Sequence, residues 1–207
     1  MDGRAGLGED ESMDAGGLKI RVRDAYSAAA DAPAERHPFP VGRQFAESLG
    51  YPAKWLDAVP EVSVEAFAGV SDVSVFAEIA KGETVLDLGC GAGLDSLIAA
   101  ERAGADGRVL ALDFSAPMLG RARQAARQMR SNQMICCRAD AERLPLPDGS
   151  VDTAMVNGLF NLNPARTAIF RELARVMRRG GKVYAAELIA LERPEYPDLV
   201  DESSWFS

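Results

Sequence analysis

Soft metal-ligating side chains are scarce in this 207-residue chain: it has one histidine, His37, and three cysteines, Cys90, Cys136 and Cys137. No metal cluster and no nucleophilic triad can be assembled from their spacing. The cysteines do not form a disulfide framework and fit a reducing, cytoplasmic setting. Long hydrophobic runs are missing too, none approaching the roughly 20 residues of a membrane span. The first residues are acidic and Gly-rich, unlike a signal peptide. Surplus positive charge is also absent. A net charge of −8 argues against a nucleic-acid or anionic-membrane partner, since both would repel it. Arg121, Arg123, Arg127 and Arg130 do gather on one predicted helix, the last three on a shared face, and read as a solvated surface.

What remains is an ordinary globular composition, 47% apolar, enough for one domain with a sizeable core. Residues 1–17 have hardly any large apolar side chains and read as a disordered tail. Residues 18–80 read as an N-terminal helical cap: a helix over Leu18–Ala30, a proline loop over Asp31–Pro40, then short amphipathic pieces. Ser71-Asp72 suits a helix start before Val73–Ala80. Residues 81–190 alternate apolar strands with helices, which predicts an α/β, Rossmann-like, doubly wound and mostly parallel sheet. The strands are expected near Thr84–Leu88, Val109–Leu112, Met134–Cys137, Val151–Val156 and Lys182–Ile189. A long helix from Pro164 to about Met177 is expected to be capped by Gly180-Gly181. Residues 191–207 form a short tail with two prolines.

The stretch Glu83–Asp95, ETVLDLGCGAGLD, organises the rest. An apolar strand ends in Asp87 and is followed by Gly89, Gly91 and Gly93 and then an Ala/Leu-rich helix. Glycine suits a turn with positive φ and lets a ligand reach bare backbone. The helix N-terminus adds unpaired N–H groups and the positive dipole end. The spacing is G-x-G-x-G rather than the dinucleotide pattern G-x-G-x-x-G. Asp87 sits where a pyrophosphate would be repelled and an ammonium group held. Asp87, Asp113, Asp140 and Asn157 each close a predicted strand, all at the sheet edge where α/β folds bind ligands.

VLDLGCGAG, ALDFS, RADAERLPLPDGSVD and RELARVMRRGGKVYAAE resemble the class I S-adenosylmethionine (SAM) dependent methyltransferases over Gly82 to about Ala190. Within that class the chain is most similar to the arsenite methyltransferase group, through GETVLDLGCGAGLDSLIAA and NGLFNLNPARTAIFRELARVMRRGGKV. The resemblance implies SAM as cofactor and S-adenosylhomocysteine as product. It assigns Asp87 to the ammonium and the backbone of Gly89, Cys90, Gly91 and Gly93 to the SAM carboxylate. Asp113, 24 positions beyond Gly89, suits the ribose hydroxyls, with a helix N-cap as the alternative. Phe114 and Met118 are placed about the adenine, Asp140 and Ala141 at its edge, and Asn157 and Phe160 beside the reacting methyl group.

The group's arsenic-binding cysteines would fall at about Val70 and Gly158, and both are absent. The expected reaction is therefore methyl transfer to another small molecule by in-line displacement, which needs positioning more than acid–base groups. No catalytic base is assigned; Tyr26, His37 and Glu187 are weak candidates. The family's two closing antiparallel strands are expected to be missing, as in a truncated form or one whose edge a partner covers. A monomer or a homodimer fits equally. Three other readings compete: a SAM-binding regulatory or scaffold protein without transferase activity, an arsenite methyltransferase relative using other ligands, and a nicotinamide-dependent oxidoreductase.

Overall fold

The computed structural model describes residues 15–189. Most of the expected N-terminal tail and all of the C-terminal one therefore lie outside the described residues. Helix α1 (Ala15–Asp31) leads through a loop into four short helices, α2 (Arg43–Ser48), α3 (Ala53–Ala58), α4 (Glu61–Val64) and α5 (Val73–Phe76). Strands and helices then alternate as β1 (Thr84–Leu88), α6 (Leu94–Ala103), β2 (Arg108–Asp113), α7 (Ala116–Gln128), β3 (Met134–Arg138), β4 (Val151–Asn157), α8 (Arg166–Val176) and β5 (Met177–Ala186). The five strands are all parallel, in the order β3-β2-β1-β4-β5. Among the described residues no antiparallel strand joins the sheet.

Chain progression from β1 runs outward through β2 to β3, whereas β4 and β5 lie on the other side of β1. The ends of β1 and β4 thus bound the point where the winding reverses, the usual ligand crevice of such sheets. β1 is buried on both faces, which is why it reads as an apolar run rather than an alternation. One face is covered by α6 and α7 through Leu97, Ile98, Leu119 and Ala122, the other by α8 through Ile169, Leu173 and Val176. The cap has no separate core: Tyr51, Leu56, Val64 and Phe67 belong to the same cluster as α6 and α7.

Three local expectations are corrected. Gly180 and Gly181 do not cap α8, because the chain turns extended at Met177 (φ −68°, ψ 136°) and both glycines lie within β5. There the pairing with β4 slips between Val151 and Thr153, and Gly180 supplies the positive φ of 82° that the irregularity needs. The helix after Asp72 is a single turn, since Ala77 is already extended (ψ 133°). Arg121 is not solvated like its neighbours. Its guanidinium joins Ala30 O of α1, Val62 O and Glu65 of the cap, holding both to α7.

Candidate cofactor cleft

The loop after β1 is built on left-handed glycines: Gly89, Gly91 and Gly93 have φ of 80°, 52° and 88°. Its backbone is already tied to β2. Gly89 and Cys90 N–H donate to Leu112 O at 2.8 and 3.0 Å, and Gly93 N–H closes the turn on Cys90 O at 2.9 Å. Gly91 N–H donates to Asp113 Oδ2 at 2.9 Å. Ala92 N–H is thus the loop donor left without a partner among the described residues. Gly93 faces away from the cleft. A Cβ there would meet Ala122 Cβ and Met134 Cε at 3.0 Å, so its part is close packing of the loop on α7 rather than ligand contact.

Above this loop opens a cleft of about 1030 Å³, counting its mouth, walled by the strand ends, the glycine loop and the cap. Asp87, Gly89, Cys90, Gly91, Asp113, Phe114, Met118, Asp140, Ala141 and Asn157 all line it, whereas Gly93 and Phe160 of the expected contacts do not. Three buried acids, Asp87, Asp95 and Asp113, line the cleft. Asp87 accepts from Ser96 Oγ. Asp95, in the first turn of α6, accepts from Tyr51 Oη at 2.6 Å, Ser74 N–H at 3.2 Å and Asn157 Nδ2 at 2.9 Å. Asp113 accepts from Gly91 and from Ser115 N–H at 2.7 Å.

All the described partners of these three carboxyls are neutral, and burial pushes each pKa up. For Asp87 the negative charge of Asp95 adds to that push. At Asp113 the N–H bonds from Ser115 and Gly91 work against it without cancelling it. The N-cap of α7 is Ser115, whose Oγ accepts from Met118 N–H, so Asp113 is not the cap.

Asp140 behaves differently. It is half exposed, and Lys19 of α1 reaches it and also Glu142, the latter at 2.8 Å. Burial works upward on its pKa, but the Lys19 hydrogen bond and charge with the Glu142 N–H hold it below the usual carboxylate range. The far end of the cleft is thus closed by α1, which also contributes Val22 and Tyr26.

Asn157 borders the cleft, yet its amide is fully engaged. Oδ1 accepts from Val70 N–H at 2.8 Å and Ser71 N–H at 3.2 Å, while Nδ2 donates to Ser71 O at 2.7 Å and to Asp95. It clasps the cap segment onto the end of β4. Phe160 does not face the cleft. It is buried and stacks on Phe170 of α8 at 4.6 Å, and Leu159 takes the lining position.

Of the three weak base candidates, only Tyr26 lines the cleft. Burial raises its pKa, and the charges of Asp113 and Glu187 raise it further, so it is a neutral phenol. His37 bonds Ala32 O at 2.9 Å within its own loop. Glu187 accepts from Leu159 and Phe160 N–H, both at 2.7 Å, and so anchors the segment after β4. Cys90 lines the cleft as a thiol, its pKa driven well up by burial and then by Asp113 and Asp87. Among the described residues no group of three or more His, Cys, Asp or Glu side chains could hold a metal. The two positions where the arsenite group would carry cysteines face each other: a Cβ on Gly158 would lie 3.1 Å from Val70 Cγ1.

Sequence reasoning missed Lys19, Tyr51, Asp95 and Leu159. Asp95 carried a signal, since it ends the glycine motif, but an acid in a first helical turn reads as a dipole partner. The others follow from tertiary packing alone.

A methyltransferase-domain family matches residues 85–181. Among curated proteins, an arsenite methyltransferase of Halobacterium salinarum is 33% identical over 74% of this chain and 39% of its own length. A demethylmenaquinone methyltransferase of Oceanobacillus iheyensis is 37% identical over 51% of this chain and 44% of its own. The chain therefore spans less than half of either relative. Among solved structures, an arsenic(III) S-adenosylmethionine methyltransferase from Chlamydomonas reinhardtii aligns with a TM-score of 0.60 at 24% identity, over 79% of this chain and 56% of that one. A SAM-dependent methyltransferase from Aquifex aeolicus aligns with a TM-score of 0.53 at 21% identity, over 77% and 79%. At those identities the likeness is one of fold.

Proposed function

From the premise that residues 85–181 are a methyltransferase domain of the class I SAM-dependent kind, we propose that this chain binds SAM in the cleft and passes its methyl group to a small-molecule acceptor. The observation that carries the reading is the trio Asp87, Asp95 and Asp113, buried around a glycine loop with only neutral partners. Buried carboxylates are costly unless something positive joins them. A ligand carrying an ammonium and a sulfonium supplies that charge, whereas a pyrophosphate would add to the repulsion.

The residues then divide the ligand between them. Asp87 faces the ammonium, directly or through water, and the Ala92 N–H, in the loop two residues before α6, faces the carboxylate. Asp113 has lone pairs beyond those taken by Gly91 and Ser115, and they suit the ribose hydroxyls. Phe114 and Met118 flank the adenine, with Asp140 and Ala141 at its edge. Asp140 must share Lys19 or release it. When bound, SAM supplies an electrophilic methyl group on sulfur, with a neutral thioether as leaving group. The protein holds the acceptor in line about 3 Å away and excludes water.

The cleft lining includes the apolar side chains Val22, Phe67, Leu159 and Leu162, and its cysteine, Cys90, is held as a thiol. Val70 and Gly158 offer no soft ligand for arsenic. We therefore read the acceptor as an organic small molecule. The relatives named for arsenite and for demethylmenaquinone do not decide which. The test is incubation of the purified chain with methyl-labelled SAM and a panel of quinols, phenols, thiols and arsenite. Label in an organic product with matching S-adenosylhomocysteine supports the reading. SAM binding with no transfer to any member favours a non-catalytic SAM-binding protein.

A further inference from the structure

The surface on the far side of α7 takes no part in the cleft. There, α7 and the outer edge of β3 form a groove lined by Arg123, Arg127 and Arg130, with Ala126, Met134 and Cys136 as its floor. All three arginines are exposed, and among the described residues none has a carboxylate within salt-bridge distance. Arg123 makes one long contact, 3.4 Å, to Cys136 O. In a chain of net charge −8 this is a local concentration of the opposite sign.

β3 pairs with β2 on one side, and on its other side no strand is found among the described residues. The two faces of this edge differ. Met134 and Cys136 point to the α7 face, where they join the core cluster of Leu119 and Ala122. Ile135, between them, points to the opposite face, where no helix covers it, and is 49% exposed. An unpaired edge of this kind is a template for a further strand.

We propose that the β3 edge docks an extended segment of another protein in which acidic residues alternate with apolar ones. Successive side chains of an added strand point to opposite faces. Its acidic positions would then meet Arg123, Arg127 and Arg130, and its apolar positions would cover Ile135. Main-chain hydrogen bonds to β3 give affinity, and the two unlike faces give register. A second copy of this chain is a poor occupant, because antiparallel pairing about a two-fold sets the same arginines against one another. A nucleic acid would find the guanidiniums but leave Ile135 and the strand edge unused, and the net charge repels it.

The test uses the full chain and a fluorescein-labelled ten-residue peptide alternating Glu and Val, followed by anisotropy and by amide exchange. Controls are the same residues arranged in two blocks and a short single-stranded oligonucleotide. The alternating peptide is expected to bind at least about tenfold more tightly than either control. Its binding is expected to weaken with salt and to fall about tenfold or more in Arg127→Glu/Arg130→Glu, with an unchanged melting temperature showing that the variant is folded. Exchange at residues 134–138 is expected to slow. No binding, equal binding by the block peptide or the oligonucleotide, or unprotected β3 amides would overturn the proposal.

Discussion

Replacing Asp113 by asparagine or by alanine separates its two roles. Its carboxylate accepts one backbone N–H from the glycine loop, at 2.9 Å, and one from the start of α7, at 2.7 Å. Alanine leaves both donors without an acceptor in a buried place. Each unmatched donor costs roughly 1–3 kcal/mol, so a loss of about 2–4 kcal/mol in stability is expected, since water entering the vacated space offsets part of it. Asparagine keeps one carbonyl oxygen as acceptor and sets its amide NH2 against the other donor, so its stability loss should be smaller, about half as large. On the proposed ribose assignment, both variants also lose charge-assisted bonds to the hydroxyls. That is worth about 1–3 kcal/mol, or roughly 5- to 150-fold in SAM affinity. Calorimetric titration with SAM beside urea unfolding reads the two effects separately. A folded Asp113→Asn that binds SAM with unchanged affinity would refute the ribose assignment, leaving Asp113 as a strut between the loop and α7.

The other predictions rest on separate features. Gly93→Ala must adopt a φ of 88° and place its methyl group 3.0 Å from Ala122 Cβ; an unfolding free energy lower by about 1–3 kcal/mol is expected, and an unchanged one would contradict the packing account. Burial and the nearby Asp95 charge raise the Asp87 pKa in the folded chain above its unfolded value. The folded state therefore binds that proton more tightly, so the ligand-free chain gains stability as pH falls from the raised folded value toward the ordinary carboxylate range. SAM affinity, which on the proposed ammonium contact needs the carboxylate, should weaken over the same window and become insensitive to pH in Asp87→Asn. A pH-independent affinity in the parent chain would count against Asp87 as the ammonium partner. Arsenite should show no tight, thiol-dependent binding, because Val70 and Gly158 carry no thiol and burial keeps Cys90 protonated; sub-micromolar binding in a calorimeter would reverse that reading.

The parts of this fold that were legible in the sequence are those set by local pattern. An apolar run, three glycines and an Ala/Leu-rich segment leave little choice but strand, turn and helix, and β1 falls on its expected bounds with α6 following the glycines. Position at a strand end also placed most of the proposed contacts on one cleft wall. Partner identity was not legible. Asn157 does end β4, but its partners Val70 and Ser71 arrive from the cap, 87 and 86 residues away in sequence. Gly180-Gly181 misled because glycine after a helix usually means a cap, while here β4 offered a pairing edge that drew the chain straight into β5. The arginines in and just after α7 share one residue type, yet Arg121 is held in by α1 and the cap while Arg123, Arg127 and Arg130 face solvent. Only the tertiary contacts distinguish them.

The most direct measurement is calorimetric titration of the purified chain with SAM, S-adenosylhomocysteine and NAD in parallel. The account predicts micromolar binding of the first two, each weakened in Asp87→Asn, and no heat from NAD. Binding of NAD without SAM, or silence from all three by a folded chain, would contradict the claim that this cleft is built for SAM.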